Sequence, residues 1–226
     1  MIPWQELHRA NVPGAEMPLV LAQRGDEFVI RVGAVALMSS RAHGSEEVLA
    51  ERACAEVARR ADVRVLVGGL GMGFTLAAAL AALPAHAKVV VVELVPAIVE
   101  WNRGPLASLA GRPLDDARVT VRLGDVSAAV NDANSTFDAV LLDVDNGPNG
   151  LTRASNEKLY SSQGLRAAWR ALRPGGVLAV WSVAPDDSFT RRLAETGFAV
   201  EQVPVRARAG KGTRHVLWFA RRPGRG

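Results

Sequence analysis

The strongest constraint on the fold of this chain is a regular alternation that begins at Val63. Short runs rich in Val and Leu, each bounded by Gly, Pro or an acidic residue, alternate with longer alanine-rich amphipathic stretches. The predicted strands are residues 63–67, 88–93, 119–123, 137–142 and 177–182, and the helices between them residues 74–83, 96–109, 126–131 and 156–172. Apolar strands separated by helices are typical of a parallel sheet covered on both faces. We therefore predict a doubly wound, mostly parallel α/β sheet.

Both ends of the chain are predicted to add antiparallel strands. Residues 18–23 and 27–32 flank a tight connection at Gly25 and predict a short β-hairpin, with residues 34–38 as a candidate third strand. Residues 199–203 and 214–220 are joined by a link too short for a helix, so we expect an antiparallel pair. A helix is predicted to begin at Ser45, with a cap, and to end at residue 60. We expect a hairpin extension over residues 1–43 and a main domain over residues 44–222.

The composition is that of an ordinary globular protein. Of the 226 residues, 49% are hydrophobic and 22% are charged, which excludes a disordered or fibrous chain. No apolar stretch approaches the roughly 18 residues of a membrane helix, so we expect a cytoplasmic protein without a membrane partner. Cys54 is the only cysteine, and the four histidines lack ligand spacing. We therefore expect neither an internal disulfide nor a metal site.

The formal net charge of +4 conceals a basic carboxyl-terminal segment. Seven basic residues and no acid lie between residues 202 and 226, so the rest of the chain carries a charge of −3. Such a segment could contact nucleic acid. Lysine is scarce throughout, however, which indicates an arginine-rich composition rather than a selected surface, and we do not expect nucleic-acid binding.

A glycine-rich turn follows the first predicted parallel strand, where ligands bind in open α/β sheets. Glycines let the backbone bend sharply and let a ligand approach closely. The spacing does not fit a nicotinamide motif, because Phe74 stands at the place of the third glycine, and no Gly-Lys-Ser/Thr indicates a phosphate loop. The candidate ligand-binding glycines are Gly68, Gly69, Gly71 and Gly73.

Acidic residues end the next three strands and should meet at one edge of the sheet. Glu93 can accept both hydroxyls of a ribose, and Asp125 and Asp143 follow the next two strands. Each could be a solvated strand-end carboxylate, but with the glycine turn they favour a ligand that carries a ribose, a base amine and a positive charge. Phosphates would instead favour Lys, Arg or helix amino-terminal amides. S-adenosylmethionine and its relatives fit this description.

These motifs resemble the spermidine synthase-like branch of class I S-adenosylmethionine-dependent transferases. The likeness spans residues 36 to about 181, through segments 65–73, 91–94, 123–126, 137–143 and 172–178. It implies that the glycine loop holds the methionine part, Glu93 with Leu94 the ribose, and Asp125 with Val126 the adenine. Asp143 would take the catalytic position, where a carboxylate orients an amine and receives its proton. The resemblance also implies a homodimer.

Departures from the aminopropyltransferases decide which reaction we expect. Those enzymes carry acids at the places of Gly71 and Arg41 and a second Asp at the place of Asn146, although Asp145 could compensate. In those enzymes such acids would repel the carboxylate of the intact cofactor. Here two of them are missing, and Arg41 could pair with that carboxylate instead. We therefore expect intact S-adenosylmethionine and methyl transfer to a small amine-bearing acceptor. The alternatives are aminopropyl transfer from decarboxylated S-adenosylmethionine and a binding protein without turnover.

Five residues are candidates for substrate binding. Two of them open a helix, where acids also interact favourably with the helix dipole, and the single tyrosine could simply pack on its helix. Either Asp143 or Glu46 could be the base that removes a proton from the acceptor. The substrate candidates are Glu46, Glu47, Asp145, Asn146 and Tyr160.

Overall fold

The structure is a computed structural model that describes residues 2–12, 17–144, 158–208 and 211–224. Its described part contains two β-sheets. The amino-terminal sheet is formed by β1 (Gln5–Ala10), β2 (Leu19–Arg24), β3 (Glu27–Val32) and β4 (Val35–Ser39). The central sheet is formed by β5 (Arg64–Gly68), β6 (Lys88–Glu93), β7 (Val119–Leu123), β8 (Phe137–Leu142), β9 (Leu172–Ser182), β10 (Ala199–Arg208) and β11 (Lys211–Arg221). The helices are α1 (Gly44–Val57), α2 (Phe74–Ala82), α3 (Pro96–Arg103), α4 (Val126–Asn131), α5 (Ser162–Ala171) and α6 (Asp187–Glu195).

The central sheet confirms the predicted fold class. Its strand order is β10-β11-β9-β8-β5-β6-β7. Strands β5 to β9 pair in parallel, and β11 pairs antiparallel with both β9 and β10. The chain runs from β5 to β6 and β7 on one side and then to β8 on the other, so strand order reverses at β5. The carboxyl ends of β5 and β8 therefore form the crevice where such sheets bind ligands.

The residues of the parallel strands alternate between two hydrophobic clusters. Val65 and Val67 of β5 pack in one cluster and Leu66 in the other, and in β8 Leu141 and Leu142 divide in the same way. All are at most 1% exposed. This burial of both faces explains why the cores of β5 and β8 are apolar.

The amino-terminal sheet is larger than the predicted hairpin. It contains four antiparallel strands in the order β1-β2-β3-β4, and β1 was not predicted because its sequence is polar and mostly exposed. Leu21 and Ile30 pack in the same cluster as Val65, which attaches this sheet to the main core. The division into residues 1–43 and 44–222 stays a prediction.

Several element ends differ from prediction for local reasons. Helix α1 begins at Gly44 and ends at Val57, and no side chain caps it, because its N-cap position is His43 and Ser45 lies inside the first turn. Helix α3 ends at Arg103, where Gly104 donates its N–H to carbonyl groups of the last turn. Strand β9 begins five residues before the predicted start, directly after α5. No helix in the described residues is long and apolar enough to span a membrane.

Candidate active site

A cavity of about 410 Å³ opens at the switch point of the sheet. Its wall combines residues of β4, α1, the glycine turn, α2 and the carboxyl-terminal hairpin of β10 and β11. No lysine or arginine occurs among the described residues of this wall. They are Ala36, Leu37, Met38, Ser39, Ala42, Glu46, Leu70, Gly71, Met72, Phe74, Thr75, Asp143, Trp181, Val183, Ala207, Thr213 and His215.

The glycine turn requires glycine where the backbone passes closest to its neighbours. Gly69 has φ of +86°, and a Cβ there would lie 2.7 Å from the carbonyl oxygen of Asp143. At Gly68 a Cβ would lie 2.6 Å from Cγ2 of Val126. Asn102, which was not predicted, supports the turn by donating from Nδ2 to the carbonyl oxygen of Gly71 at 2.8 Å. The predicted glycines therefore form one fixed turn at the end of β5.

Glu93 is buried directly beside this turn. Its Oε2 accepts a hydrogen bond from the backbone N–H of Leu70 at 2.9 Å, and its Oε1 accepts one from Val95 at 2.8 Å. These two bonds fix the carboxylate between the glycine turn and the start of α3. The ribose contact of Glu93 stays a prediction. Leu94 is half-buried against the main core.

Asp125 and Val126 lie at the end of the neighbouring strand β7. Asp125 caps α4 by accepting a hydrogen bond from the N–H of Ser127 at 2.7 Å, and its side chain stays half-buried. Val126 packs against Gly68. Glu93, Asp125 and Val126 do not line the cavity itself but continue the same sheet edge beyond the glycine turn. Their roles in cofactor binding stay predictions.

Two acids, Asp143 and Glu46, line the cavity. Thr75 donates a hydrogen bond from Oγ1 to Oδ2 of Asp143 at 2.6 Å. Burial raises the pKa of Asp143, while the Thr75 hydrogen bond opposes this rise. Burial and then the charge of Asp143 raise the pKa of Glu46 to about 8. At neutral pH these acids therefore retain a proton more readily than ordinary carboxyl groups, as an acid–base site requires.

The hydroxyl of Ser45 connects Glu46 to the carboxyl-terminal hairpin. Trp181 donates from Nε1 to Ser45 Oγ at 2.9 Å, and the same oxygen lies 2.9 Å from Glu46 Oε2 and 2.9 Å from His215 Nδ1. Burial lowers the pKa of His215. The sequence predicted only that a capped helix begins at Ser45, and it gave no ligand role to the histidines, His215 included. None of Ser45, His215 and Thr75 belongs to a spacing pattern that would have revealed this site.

Arg41 does not lie where the sequence predicted. Its guanidinium pairs with Asp26 at 3.1 Å and with Glu27 at 3.4 Å, and its side chain is 52% exposed. Arg41 is not among the described residues that line the cavity. The acids of the β2–β3 turn and of β3 instead hold it on the amino-terminal sheet. The expected pairing of Arg41 with a cofactor carboxylate therefore has no support in this geometry.

The other described candidates for substrate binding, Glu47 and Tyr160, do not line the cavity as Glu46 does. Oε1 of Glu47 lies 2.9 Å from Nδ1 of His43. Tyr160 is buried, with its ring packed edge-on against Phe189 at 5.6 Å, as the packing alternative stated. The remaining candidates, Asp145 and Asn146, lie outside the described residues.

A larger cavity of about 690 Å³ lies at the opposite end of the sheet. It is lined by the starts of β6 and β8 and by α4, and its basic residues include Arg64 and Arg118. Both already pair with acids, with Asp62 at 3.0 Å and Asp116 at 2.7 Å respectively. Because ligands bind at the carboxyl ends of the strands in this fold, the smaller cavity is the candidate active site.

The chemistry of the smaller cavity suits a cationic amine. Two acids can attract an ammonium group and accept its proton, while Phe74 and Trp181 provide aromatic surface that also attracts cations. The absence of lysine and arginine from its described wall leaves no strong cation there to bind a carboxylate or a phosphate.

Comparisons with known proteins agree with this chemistry. The family described as the spermine/spermidine synthase domain matches residues 44–187. Polyamine aminopropyltransferase of Mycobacterium tuberculosis strain H37Rv is 32% identical over 177 residues, which cover 76% of this chain and 32% of that protein. The enzyme of the same name from Nitrosomonas europaea is 33% identical over 122 residues, 54% of this chain and 36% of that protein. The chain spans about a third of the length of these curated relatives.

Solved structures support the fold. Spermidine synthase from Thermotoga maritima has a TM-score of 0.75 at 17% identity, covering 96% of this chain and 72% of that one. A probable spermidine synthase from Corynebacterium glutamicum has a TM-score of 0.65 at 15% identity, covering 96% and 79%. A putative O-methyltransferase from Klebsiella pneumoniae has a TM-score of 0.56 at 19% identity, covering 80% of each chain.

The expectation of methyl transfer is therefore wrong. The matching family and the similar curated proteins favour aminopropyl transfer. The expectation depended on acids missing from the sequence and on a cofactor contact by Arg41. The structure provides Glu46 as a cavity acid and holds Arg41 elsewhere. The resemblance to the spermidine synthase-like branch is confirmed, and the chain belongs to the spermine/spermidine synthase domain family.

Proposed function

We propose that this protein is an aminopropyltransferase that uses decarboxylated S-adenosylmethionine as a co-substrate and a small amine, such as a diamine, as the acceptor. The observation that carries the proposal is the pair of half-buried acids, Asp143 and Glu46, in a cavity whose described wall has no lysine or arginine. Membership of the family and the aminopropyltransferase relatives support it.

The acids explain a preference for the decarboxylated co-substrate. That molecule ends in an ammonium group, whereas intact S-adenosylmethionine also carries a carboxylate. The negative charge that Asp143 and Glu46 hold between them would attract the first and repel the second, and no described lysine or arginine in the wall compensates the repulsion. The glycine turn, Glu93 and Asp125 would hold the nucleoside along the edge of β5, β6 and β7, as the family resemblance implies.

The reaction requires an acceptor amine that has lost a proton. Asp143 would align the ammonium group of the acceptor and take its proton. Before that transfer, Asp143 and Glu46 would share one negative charge between them. The nitrogen lone pair then attacks the carbon next to the sulfonium, the carbon–sulfur bond breaks, and methylthioadenosine leaves as a neutral thioether. Thr75 would hold the Asp143 carboxylate in position through its 2.6 Å hydrogen bond.

Two measurements test this function. In calorimetry, the decarboxylated co-substrate should bind at least about tenfold more tightly than intact S-adenosylmethionine, because one unfavourable charge contact is worth roughly 1.4 kcal/mol or more. The Asp143→Asn variant should lose about 10²- to 10⁴-fold in kcat, the usual contribution of acid–base catalysis. Tighter binding of the intact molecule, or full turnover by the variant, would contradict the proposal.

Thr75→Val provides a graded control for the role of Asp143. The substitution keeps the shape of the side chain but removes the hydrogen bond that lowers the pKa of Asp143. The acidic limb of the pH profile for kcat should therefore move to higher pH, with activity retained above it. An unchanged limb would show that Asp143 does not control the rate.

A further inference from the structure

We propose that Ser45 and His215 form a proton exit from Glu46: Glu46 releases its own proton through Ser45 to His215, and the carboxylate left behind takes up the proton that Asp143 received from the acceptor amine. This inference rests on the proposed function for its role in turnover, but the proton coupling itself is a property of the free protein. His215 comes from a distant part of the chain, 170 positions from Ser45.

The hydrogen-bonding capacity of one hydroxyl limits the network to two states. A serine hydroxyl donates one hydrogen bond and accepts two. Trp181 Nε1 can only donate, so it occupies one acceptor site of Ser45 in every state. Ser45 must then donate to one of its two other partners, Glu46 and His215, and accept from the other.

The two states differ by the transfer of one proton. In the first, protonated Glu46 donates to Ser45 Oγ, and Ser45 donates to the lone pair of His215 Nδ1. In the second, Nδ1 of His215 carries a proton and donates to Ser45, which donates to the Glu46 carboxylate. Conversion breaks the O–H bond of Glu46 and the original O–H bond of Ser45, and it forms a new O–H bond on Ser45 and an N–H bond on His215.

The outer end of the network can pass the proton onward. His215 lines the cavity and is 9% exposed, whereas Ser45 is fully buried and cannot exchange with water directly. After the transfer His215 is an imidazolium, and it releases its Nε2 proton to water. Trp181 fixes the ring edge-on, with centroids 4.6 Å apart, so that Nδ1 stays directed at Ser45.

The surrounding charges hold the resting network in the first state. Burial favours the neutral forms of both Glu46 and His215, and the charge of Asp143 opposes ionisation of Glu46. Glu47 contributes repulsion of the same sign. Arg214, next to His215 on β11, lies opposite Arg206 of β10 in the strand register. Because side chains alternate along a strand, both arginines lie on the face of the hairpin that points away from the network.

The proposal predicts which nitrogen of His215 carries the proton. When Glu46 is protonated, neutral His215 must accept at Nδ1 and carry its proton on Nε2. When Glu46 ionises, Ser45 turns its hydroxyl to the carboxylate, and neutral His215 must carry its proton on Nδ1. The His215 tautomer should therefore switch near pH 8, where Glu46 titrates, although the histidine itself is neutral on both sides.

Nitrogen-15 NMR of the whole protein with ¹⁵N-labelled histidine side chains tests this tautomer switch without any substrate. From about pH 6 to about pH 10, the protonated nitrogen of His215 should change from Nε2 to Nδ1 in the wild type. Glu46→Gln and Ser45→Ala should abolish the change. Glu47→Gln is the matched control: Glu47 lies 2.9 Å from His43, so this variant should alter the His43 signals and leave the His215 switch intact.

The outcomes separate this inference from the proposed function. A wild-type His215 that keeps one tautomer over this range overturns the proposal, whatever the protein catalyses. So does a switch that survives Glu46→Gln. If the switch occurs, Ser45→Ala should lower kcat about tenfold or more with little change in KM, as loss of a proton-transfer group does. An unchanged kcat in an active enzyme would exclude the proton exit, whereas an inactive wild type with an intact switch would contradict only the proposed function.

Discussion

Replacing Glu46 by Gln should change how the stability of the protein depends on pH. Folding raises the pKa of Glu46 from 4.5 to about 8 through burial and the charge of Asp143. A carboxyl with a raised folded pKa stabilises the folded state fully below its unfolded pKa, and this contribution is lost as the pH rises through the folded pKa. At roughly 1.4 kcal/mol for each pKa unit, ionising Glu46 costs the folded state at most about 5 kcal/mol.

Urea denaturation followed by tryptophan fluorescence provides the assay. The free energy of unfolding of the wild type should fall between about pH 5 and about pH 9. Glu46→Gln should flatten this fall by several kcal/mol and make the variant the more stable protein at high pH, because the amide cannot ionise. Glu47→Gln, whose side chain is 42% exposed in the parent, should keep the wild-type dependence. A Glu46→Gln variant with the wild-type slope would refute the claim that Glu46 is neutral in the folded protein.

Three further substitutions test other parts of the structure. Gly69→Ala should destabilise the protein by about 2 kcal/mol or more in urea denaturation, because φ is +86° and the new Cβ would lie 2.7 Å from the Asp143 carbonyl oxygen; a neutral effect would contradict the described turn. Glu93→Gln should weaken nucleoside binding in calorimetry by about tenfold, since one oxygen that accepts a backbone N–H becomes a donor; unchanged affinity would remove Glu93 from the site. Asp138→Asn should cost about 3 to 5 kcal/mol, because the fully buried acid pairs with two arginines, at 2.6 and 3.0 Å, and a cost below about 1 kcal/mol would argue against that pairing.

Local sequence patterns were sufficient for the central sheet. The bounds of β6, β7 and β8 match prediction because each run is stopped by an acid or a glycine. The first strand, β1, could not be found in this way. Its residues are polar and exposed, and only pairing with β2 makes it a strand.

The candidate site was predictable only where it follows a strand. Asp143 was placed correctly in the cavity wall by the rule that ligands bind at strand carboxyl ends. His215 comes from the carboxyl-terminal hairpin and meets Ser45 through tertiary packing alone. The ion pairs of Arg41 with Asp26 and Glu27 could not be predicted, because they depend on a strand register that the sequence does not reveal.

The most direct test of the account is the identity of the product. The protein would be incubated with equal amounts of intact and decarboxylated S-adenosylmethionine and a panel of diamines, and the products identified by mass spectrometry. We predict methylthioadenosine together with an aminopropylated amine, and loss of both with Asp143→Asn. Formation of S-adenosylhomocysteine and a methylated amine instead would contradict the central claim that the acid pair of Asp143 and Glu46 selects an aminopropyl donor.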